Sequence, residues 1–430
     1  MRVLVVGGGG REHAICWALA QNPMVDRLYA APGNAGIAAE ATPVSIGADA
    51  VDALAAFVEG ESIDLTVVGP EAPLVAGLAD ELTARGLPVF GPTRDGARLE
   101  GSKAWARDLC ERYGIPSAHS RTFEELGPAQ RYLEQLDPPY VIKADGLAAG
   151  KGVTVTDDRA EALRALEECL VHGAFGDAGR TVLVEEYLEG VEVSAMALTD
   201  GRTVAPLALA HDYKRALDED QGPNTGGMGA HSPLPFVDAE TEQRIADDVL
   251  HLAAEALARE GIRYRGVIYA GLMLTAEGPK VLEFNCRFGD PETQVVLPRL
   301  SSSLGELLLA CVEGNLGDYR LVWTEAACVG VVATSGGYPG SYQTGTAIAG
   351  LEDAARMEGV NVFHSGTALR DGRVVTAGGR VLTVTALGPT LEEARARAYA
   401  ALDRISFDGM QHRKGIAAPL PQGVGRHGGG

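Results

Sequence analysis

The first hundred residues alternate two patterns. Short, mostly apolar runs at residues 3–6, 27–30, 65–68 and 88–90 are read as strands, the first of them buried. Between them lie stretches with helical spacing, the first opening at Arg11, Glu12 and His13 and running to about Gln21. Every strand exits into glycine or proline: Gly7 to Gly10, Pro32 to Gly36, Gly69-Pro70-Glu71, and Gly91-Pro92. This predicts an α/β fold with a Rossmann-like open parallel sheet, whose ligands lie at the carboxyl ends of the strands. The glycine run fails the G-x-G-x-x-G spacing, because its sixth position is Glu12 counted from Gly7 and His13 counted from Gly8. A nicotinamide dinucleotide is therefore disfavoured, whereas glycine amides at a helix start suit a phosphate on a smaller ligand.

From residue 101 the pattern changes. Residues 101–118 read as a helix capped by Ser102, with Lys103 at its start. Residues 140–143 form a strand ending in Lys143, followed by a glycine loop and a second strand at 153–155. The loop is not a Walker A motif: Gly146 to Gly150 is one residue short, and Gly152 stands where Ser or Thr is needed. A glycine flap flanked by Lys143 and Lys151 is instead a lid that can close over a triphosphate. Residues 182–190 run from a strand into a turn, where apolar residues could receive an adenine ring and Glu185, Glu186 or Glu192 could accept from its amino group or from ribose.

Residues 211–233 are the most polar long stretch, with Asp212, Lys214 and Arg215 close together before the loop GPNTGGMG. Such a segment inside a domain points to a small charged substrate of zwitterionic kind. A helix of some twenty residues follows Asp238, then a strand at 266–274. In VLEFNCRFGDPETQ, residues 281–294, Val281, Leu282 and Phe284 read as a buried strand interrupted by Glu283 and Asn285. Two apart on a strand, these oxygens share a face. A carboxylate and an amide oxygen there can hold magnesium, which takes few protein ligands beside phosphate and water. Arg287 keeps the alternation and sets a cation beside the metal. The competing reading is an edge strand with solvated polar residues, poor strand chemistry for Glu, Asn and Arg on one face. From Cys328 the chain is β-rich, with a hairpin at residues 370–373 and a helix over 390–402, and carries no strong chemistry.

Composition narrows the function. A net charge of -21 with no basic stripe excludes nucleic acid as a main partner. Six scattered cysteines without a C-x-x-C pair argue against zinc or a disulfide framework and fit a reducing cytoplasm. No apolar run reaches membrane-spanning length. Of 37 Lys and Arg residues only Lys103, Lys143, Lys151, Lys214, Lys280 and Lys414 are lysines, and four lie in the polar or glycine-rich motifs above. Lysine is a compact point charge suited to phosphate.

Taken together, GGGGREHA, APGNAG, VGPEAPL, FGPT, EGSKAWARD, VIKADGLAAGKGV, GAFGDAG, EEYLEG, DYKR, GPNTGGMGAHSP, EFNCRFGDPETQ and GGRVLTVTALG, in that order, resemble the glycinamide ribonucleotide synthetases, the phosphoribosylamine–glycine ligase family of the ATP-grasp superfamily. The resemblance covers about residues 1–415. It implies an N-terminal α/β domain (1–100), an ATP-grasp domain (101–325) with a lid over about 118–190, a C-terminal β-rich domain (326–416) and a disordered tail (417–430). It implies ATP-dependent ligation of glycine to 5-phosphoribosylamine in purine biosynthesis, with magnesium or manganese, in a cytoplasmic monomer. Glu283 and Asn285 then match the metal ligands. Lys103, Lys143, Gly150, Lys151, Gly152, Glu185, Glu186, Tyr187, Leu188 and Glu192 match the nucleotide site. Gly9, Gly10, Asn34, Glu71, Lys214, Gly226, Gly227, Met228, Arg287 and Asp290 match the substrate side, with Arg287, Lys143 and Asp212 as the catalytic set. Gly8 departs from a common Asn, and His231 from a common Tyr.

Overall fold

The structure, a computed structural model, describes residues 1–147, 152–174 and 179–418. Five parallel strands form the N-terminal sheet in the order Thr42–Pro43, Arg27–Pro32, Arg2–Gly7, Leu65–Val68, Val89–Phe90. The alternation of the first strand explains its unbroken apolar run. Val3 and Val5 pack into one core and Leu4 and Val6 into another, so both faces are covered. The chain leaves the Thr42–Pro43 edge and returns on the other side of the first strand, which opens a crevice where Gly7 and Gly69 end adjacent strands. The two-residue edge strand is too short to leave a periodic signal in the sequence.

Two antiparallel sheets make up the middle of the chain. The first runs Ser120–Phe123, Val182–Glu185, Tyr140–Ala144, Val153–Thr156, with helices Leu126–Leu133 and Arg159–Leu170 packed on one face. The second runs Val204–Pro206, Val191–Thr199, Gly266–Thr275, Gly278–Asn285, so the strand bearing Glu283 and Asn285 is an edge. Gly271 pairs with Glu283 and Leu272 with Val281, leaving Leu282 unpaired in a bulge.

The C-terminal sheet draws on two parts of the chain. Its order is His211–Asp212, Gly229–Ser232, Ala327–Thr334, Arg380–Gly388, Val360–His364, with helix Leu391–Leu402 packed against it. The polar stretch 211–233 is therefore folded as strands, whose Gly, Asn and Asp content hides them from any periodicity. Asp212 and the following glycine loop are anchored to this sheet rather than to the central ones.

Three buried histidines mark the joints of this assembly. His13 Nδ1 accepts the backbone N–H of His364 at 2.7 Å, tying the first helix to the C-terminal sheet. Burial holds His13 and His231 down to about 3 and His364 to about 4. The unfolded chain takes up these protons near 6.5, so their contribution to stability is complete above that pH and is lost as pH falls toward 4. The melting temperature is expected to drop across this window, and more shallowly in His231→Tyr. An unchanged slope in the variant would remove His231 from the account.

Candidate active site

A cleft of about 620 Å³ opens where the N-terminal loops, both central sheets and the C-terminal sheet meet. Its floor is the bulged edge strand. Val281, Phe284 and Cys286 are all in the core, an arrangement regular alternation forbids and the bulge at Leu282 permits. Leu282, expected to be buried with them, instead lines the cleft beside Glu283 and Asn285. Across the ladder Gly271 leaves room for Glu283, since a Cβ there would stand 3.2 Å from its Cγ. Among the described residues no hydrogen-bond or ion-pair partner reaches the Glu283 carboxylate. Burial works against its charge, but Lys214, Lys143, Lys103 and Arg287 outweigh that and hold its pKa below the usual carboxylate value.

Arg287 is the cation of this floor. Its Nη2 donates to Asn285 Oδ1 at 3.0 Å and to Glu100 Oε1 at 2.9 Å, and its Nε lies 3.4 Å from Glu71 Oε2. Among the described residues no cluster of three His, Cys, Asp or Glu side chains could hold a metal. One carboxylate and one amide oxygen do not fit zinc, but they fit magnesium or manganese completed by phosphate and water oxygens.

The nucleotide candidates divide. Lys103, Gly152 and Glu185 line the cleft with Gly146 and Leu147, while Gly150 and Lys151 lie outside the described residues. Ser102 caps the helix Lys103–Tyr113 as expected, accepting from the Trp105 N–H at 3.1 Å. Asp145 joins that cap to the base of the glycine flap, accepting from Ser102 Oγ and Ala104 N at 3.1 Å. Lys103 Nζ donates to Gly146 O at 2.8 Å. Lys143 sits behind Glu185, its Nζ 2.7 Å from Oε2. Burial pulls the Lys143 pKa down, against the pull of Glu185. Glu186 accepts from the His119 N–H at 3.0 Å and lies 3.7 Å from Lys280. Tyr187 is half exposed and Leu188 buried. Glu192 reaches the cleft only through Lys214, whose Nζ is 2.5 Å from its carboxylate. Burial works against the charge of Lys214, but Glu192, Glu283 and Asp212 outweigh it and raise its pKa.

On the substrate side the structure gathers Glu71, Asp212, Lys214, Gly226, Arg287 and Asp290 on the cleft wall. Gly9 gives its N–H to Glu12 Oε2 at 2.6 Å, and a Cβ on it would stand 3.7 Å from Asp290 Oδ2. Gly10 is closely packed: a Cβ on it would lie 2.5 Å from Ser365 Oγ and 2.7 Å from Gln294 Nε2. Gly227, with φ +107, closes over Asp212 in the same way. Asn34 is a latch between domains: its Nδ2 donates to Gly8 O at 2.9 Å and to His364 O at 2.8 Å. Met228 lies in the C-terminal core.

Six charged or phenolic cleft residues were given no role in the site by the sequence reading: Arg11, Glu100, Arg107, Tyr269, Glu292 and Arg380. Arg380 Nη2 pairs with Asp290 Oδ2 at 3.1 Å, and its Nη1 donates to Gly226 O, so the C-terminal domain reaches into the cleft. Glu292 Oε1 accepts from Tyr269 Oη and from Ser194 Oγ, the latter at 2.9 Å. Beside them Asp212 Oδ1 is buried without a partner. Burial, then Glu292, raises the Asp212 pKa far above the usual value, against the pull of Lys214. Five of these six lie inside quoted strings, Arg11 in GGGGREHA, Glu100 and Arg107 in EGSKAWARD, Glu292 in EFNCRFGDPETQ and Arg380 in GGRVLTVTALG. Spacing gave them no distinguishing mark.

Two antiparallel sheets facing each other across a cleft, with Lys143 on one and an oxygen pair on the edge strand of the other, define an ATP-grasp protein. Family profiles match all three parts of the chain: "Phosphoribosylglycinamide synthetase, N domain" at residues 1–100, "ATP-grasp (A) domain" at 101–293 and "C domain" at 328–419. The chain belongs to the phosphoribosylglycinamide synthetase family. It is 50% identical over 419 residues to the phosphoribosylamine–glycine ligase of Pseudomonas aeruginosa, covering 97% of each chain. Its identity to that of Escherichia coli O157:H7 is 50% over 420 residues, covering 97% of this chain and 98% of the other. The crystal structure of phosphoribosylamine–glycine ligase from Thermotoga maritima superposes with a TM-score of 0.84 at 34% identity, over 96% of this chain and 99% of that one. The biotin carboxylase domain of Hydrogenobacter thermophilus 2-oxoglutarate carboxylase, at 16% identity and TM-score 0.74 over 95% and 91% of the two chains, shares the fold alone. No helix among the described residues is long and apolar enough to cross a membrane.

Proposed function

We propose that the protein ligates glycine to 5-phosphoribosylamine at the expense of ATP, giving glycinamide ribonucleotide, ADP and phosphate in purine biosynthesis, as a cytoplasmic monomer. The observation that carries this reading is the cleft itself: one wall offers Lys103 and the lid base, the floor Glu283 and Asn285, the other wall Asp212, Lys214 and Arg287. A carboxylate is a poor acyl donor because oxide is a poor leaving group. In the proposed first step a glycine carboxylate oxygen attacks the γ-phosphorus, the bond to the β-phosphate oxygen breaks, and glycyl phosphate and ADP form. The amine of phosphoribosylamine then attacks the acyl carbon, phosphate leaves with the bonding electrons, and the amine loses a proton. No side-chain nucleophile enters, so the protein acts by positioning and charge stabilisation.

Glu283 and Asn285 would hold magnesium or manganese, whose part is to neutralise phosphate charge. In this reading Lys103 and, from its place behind Glu185, Lys143 serve the nucleotide phosphates, and Arg287 the transferring group. Asp212, whose Oδ1 has no partner, is placed to accept from the glycine ammonium. Glu71, Asp290 and the loop at Gly9 and Gly10 serve the phosphoribosylamine side. The glycine flap excludes water that would hydrolyse the acyl phosphate. ADP release by the purified protein with ATP and magnesium tests the reading, omitting glycine and phosphoribosylamine in turn. Release that needs both is expected. Release with neither, or only with another acid and amine pair, would overturn the substrate assignment.

A further inference from the structure

Arg107 has no part in the reaction as drawn, yet it makes four hydrogen bonds, three of them buried, to two separate elements of the site. Its Nε donates to Glu185 Oε1 at 2.7 Å and its Nη2 to Glu185 Oε2 at 2.9 Å, a bidentate pair. The same guanidinium donates from Nη1 to Val281 O and from Nη2 to Leu282 O, both at 2.7 Å. Lys143 closes the network, its Nζ 3.0 Å from Leu282 O and 2.7 Å from Glu185 Oε2. The two carbonyls are those of the bulge. Leu282 has no cross-strand partner, so its partly buried carbonyl draws on other donors. In a regular strand Glu283 would share the face of Val281, which is fully buried in the core. The bulge turns Glu283 into the cleft.

We propose that Arg107 is a positioning residue for both halves of the site: through Glu185 it fixes Lys143, and through the carbonyls of the bulge it fixes Glu283. The inference rests on the reading above only in taking Lys143 as a nucleotide group and Glu283 as a metal ligand. Lysine cannot replace it, because only a planar fork reaches a carboxylate and two carbonyls at once. Arg107→Lys keeps the charge opposite Glu185, and so the fold, while losing the fork.

The test compares the full-length protein with Arg107→Lys and Arg107→Ala. Thermal melting, calorimetric binding of a non-hydrolysable ATP analogue with magnesium, and electron paramagnetic resonance of manganese with the same analogue are measured on each. Arg107→Lys is expected to melt cooperatively near the wild type and to bind both analogue and metal about tenfold more weakly. Added guanidinium ion is expected to restore part of both affinities to Arg107→Ala and to leave the wild type unchanged. Wild-type affinities in Arg107→Lys would overturn the proposal. So would loss of analogue binding with metal binding intact, or unfolding of both variants, which would make the arginine architectural. Should the wild type bind the analogue yet release no ADP with glycine and phosphoribosylamine, the ligase reading fails while the binding comparison still decides Arg107.

Discussion

Glu283→Gln is expected to fold normally and to lose at least about a hundredfold in kcat, since even the groups that orient a metal ligand are typically worth 10–100-fold. The fold should survive because the Glu283 carboxylate makes no hydrogen bond or ion pair to any described residue, and glutamine occupies the same volume. Burial disfavours the carboxylate, while Lys214, Lys143, Lys103 and Arg287 favour it. Removing the charge removes both effects, and because the cations outweigh burial the variant is expected to be modestly less stable. The loss falls on function: a neutral amide is a weaker oxygen donor to a hard divalent ion, and four cations then face the phosphates without the carboxylate among them. Rates measured across a range of magnesium concentrations decide the matter. The variant should require much more metal and still not reach the wild-type rate. A near-normal rate at normal magnesium would remove Glu283 from the metal site.

What the sequence disclosed follows from how far each signal extends along the chain. The N-terminal sheet was legible because strands buried on both faces leave unbroken apolar runs, as at Val3 to Val6. The pair Glu283 and Asn285 was legible because alternation carries over two residues. The bulge beside them was not, and Leu282 was misplaced in consequence: a bulge is a change of register against a partner strand, which a single segment does not record. The same limit hid Arg107, Tyr269 and Arg380, whose partners lie 78, 23 and 154 positions away. It also explains Met228, which is set in a glycine loop yet points into the C-terminal core, and Asn34, which sits at a strand end and turns out to bridge two domains. Motif strings retained several of these residues without saying what each one touches. The strands at His211–Asp212 and Gly229–Ser232 were lost because their glycine and polar residues leave no apolar alternation to read.

Arg287→Met should be costly twice, and the two costs can be separated. Arg287 is the cation that faces Glu100, whose side chain is 8% exposed. Burial already raises the Glu100 pKa, Arg287 lowers it and Glu71 raises it. Without the guanidinium a buried carboxylate is left next to a second one, and stability is expected to fall by about 3–5 kcal/mol. The loss should depend on pH. A carboxyl whose folded pKa is raised contributes its full stability below its unfolded value of 4.5, and that contribution is lost as pH rises. The single variant should therefore melt progressively lower above pH 4.5. Adding Glu100→Gln removes the stranded charge while keeping an acceptor for the Cys286 N–H, which Glu100 Oε2 binds at 2.9 Å. The double variant should regain much of the stability and lose the added pH dependence. It should not regain turnover, because the cation beside Asn285 is still missing. If the double variant is no more stable than the single one, the loss comes from packing around the guanidinium and not from the charge left on Glu100. If it is stable and fully active, Arg287 serves only to neutralise Glu100 and has no part in handling phosphate.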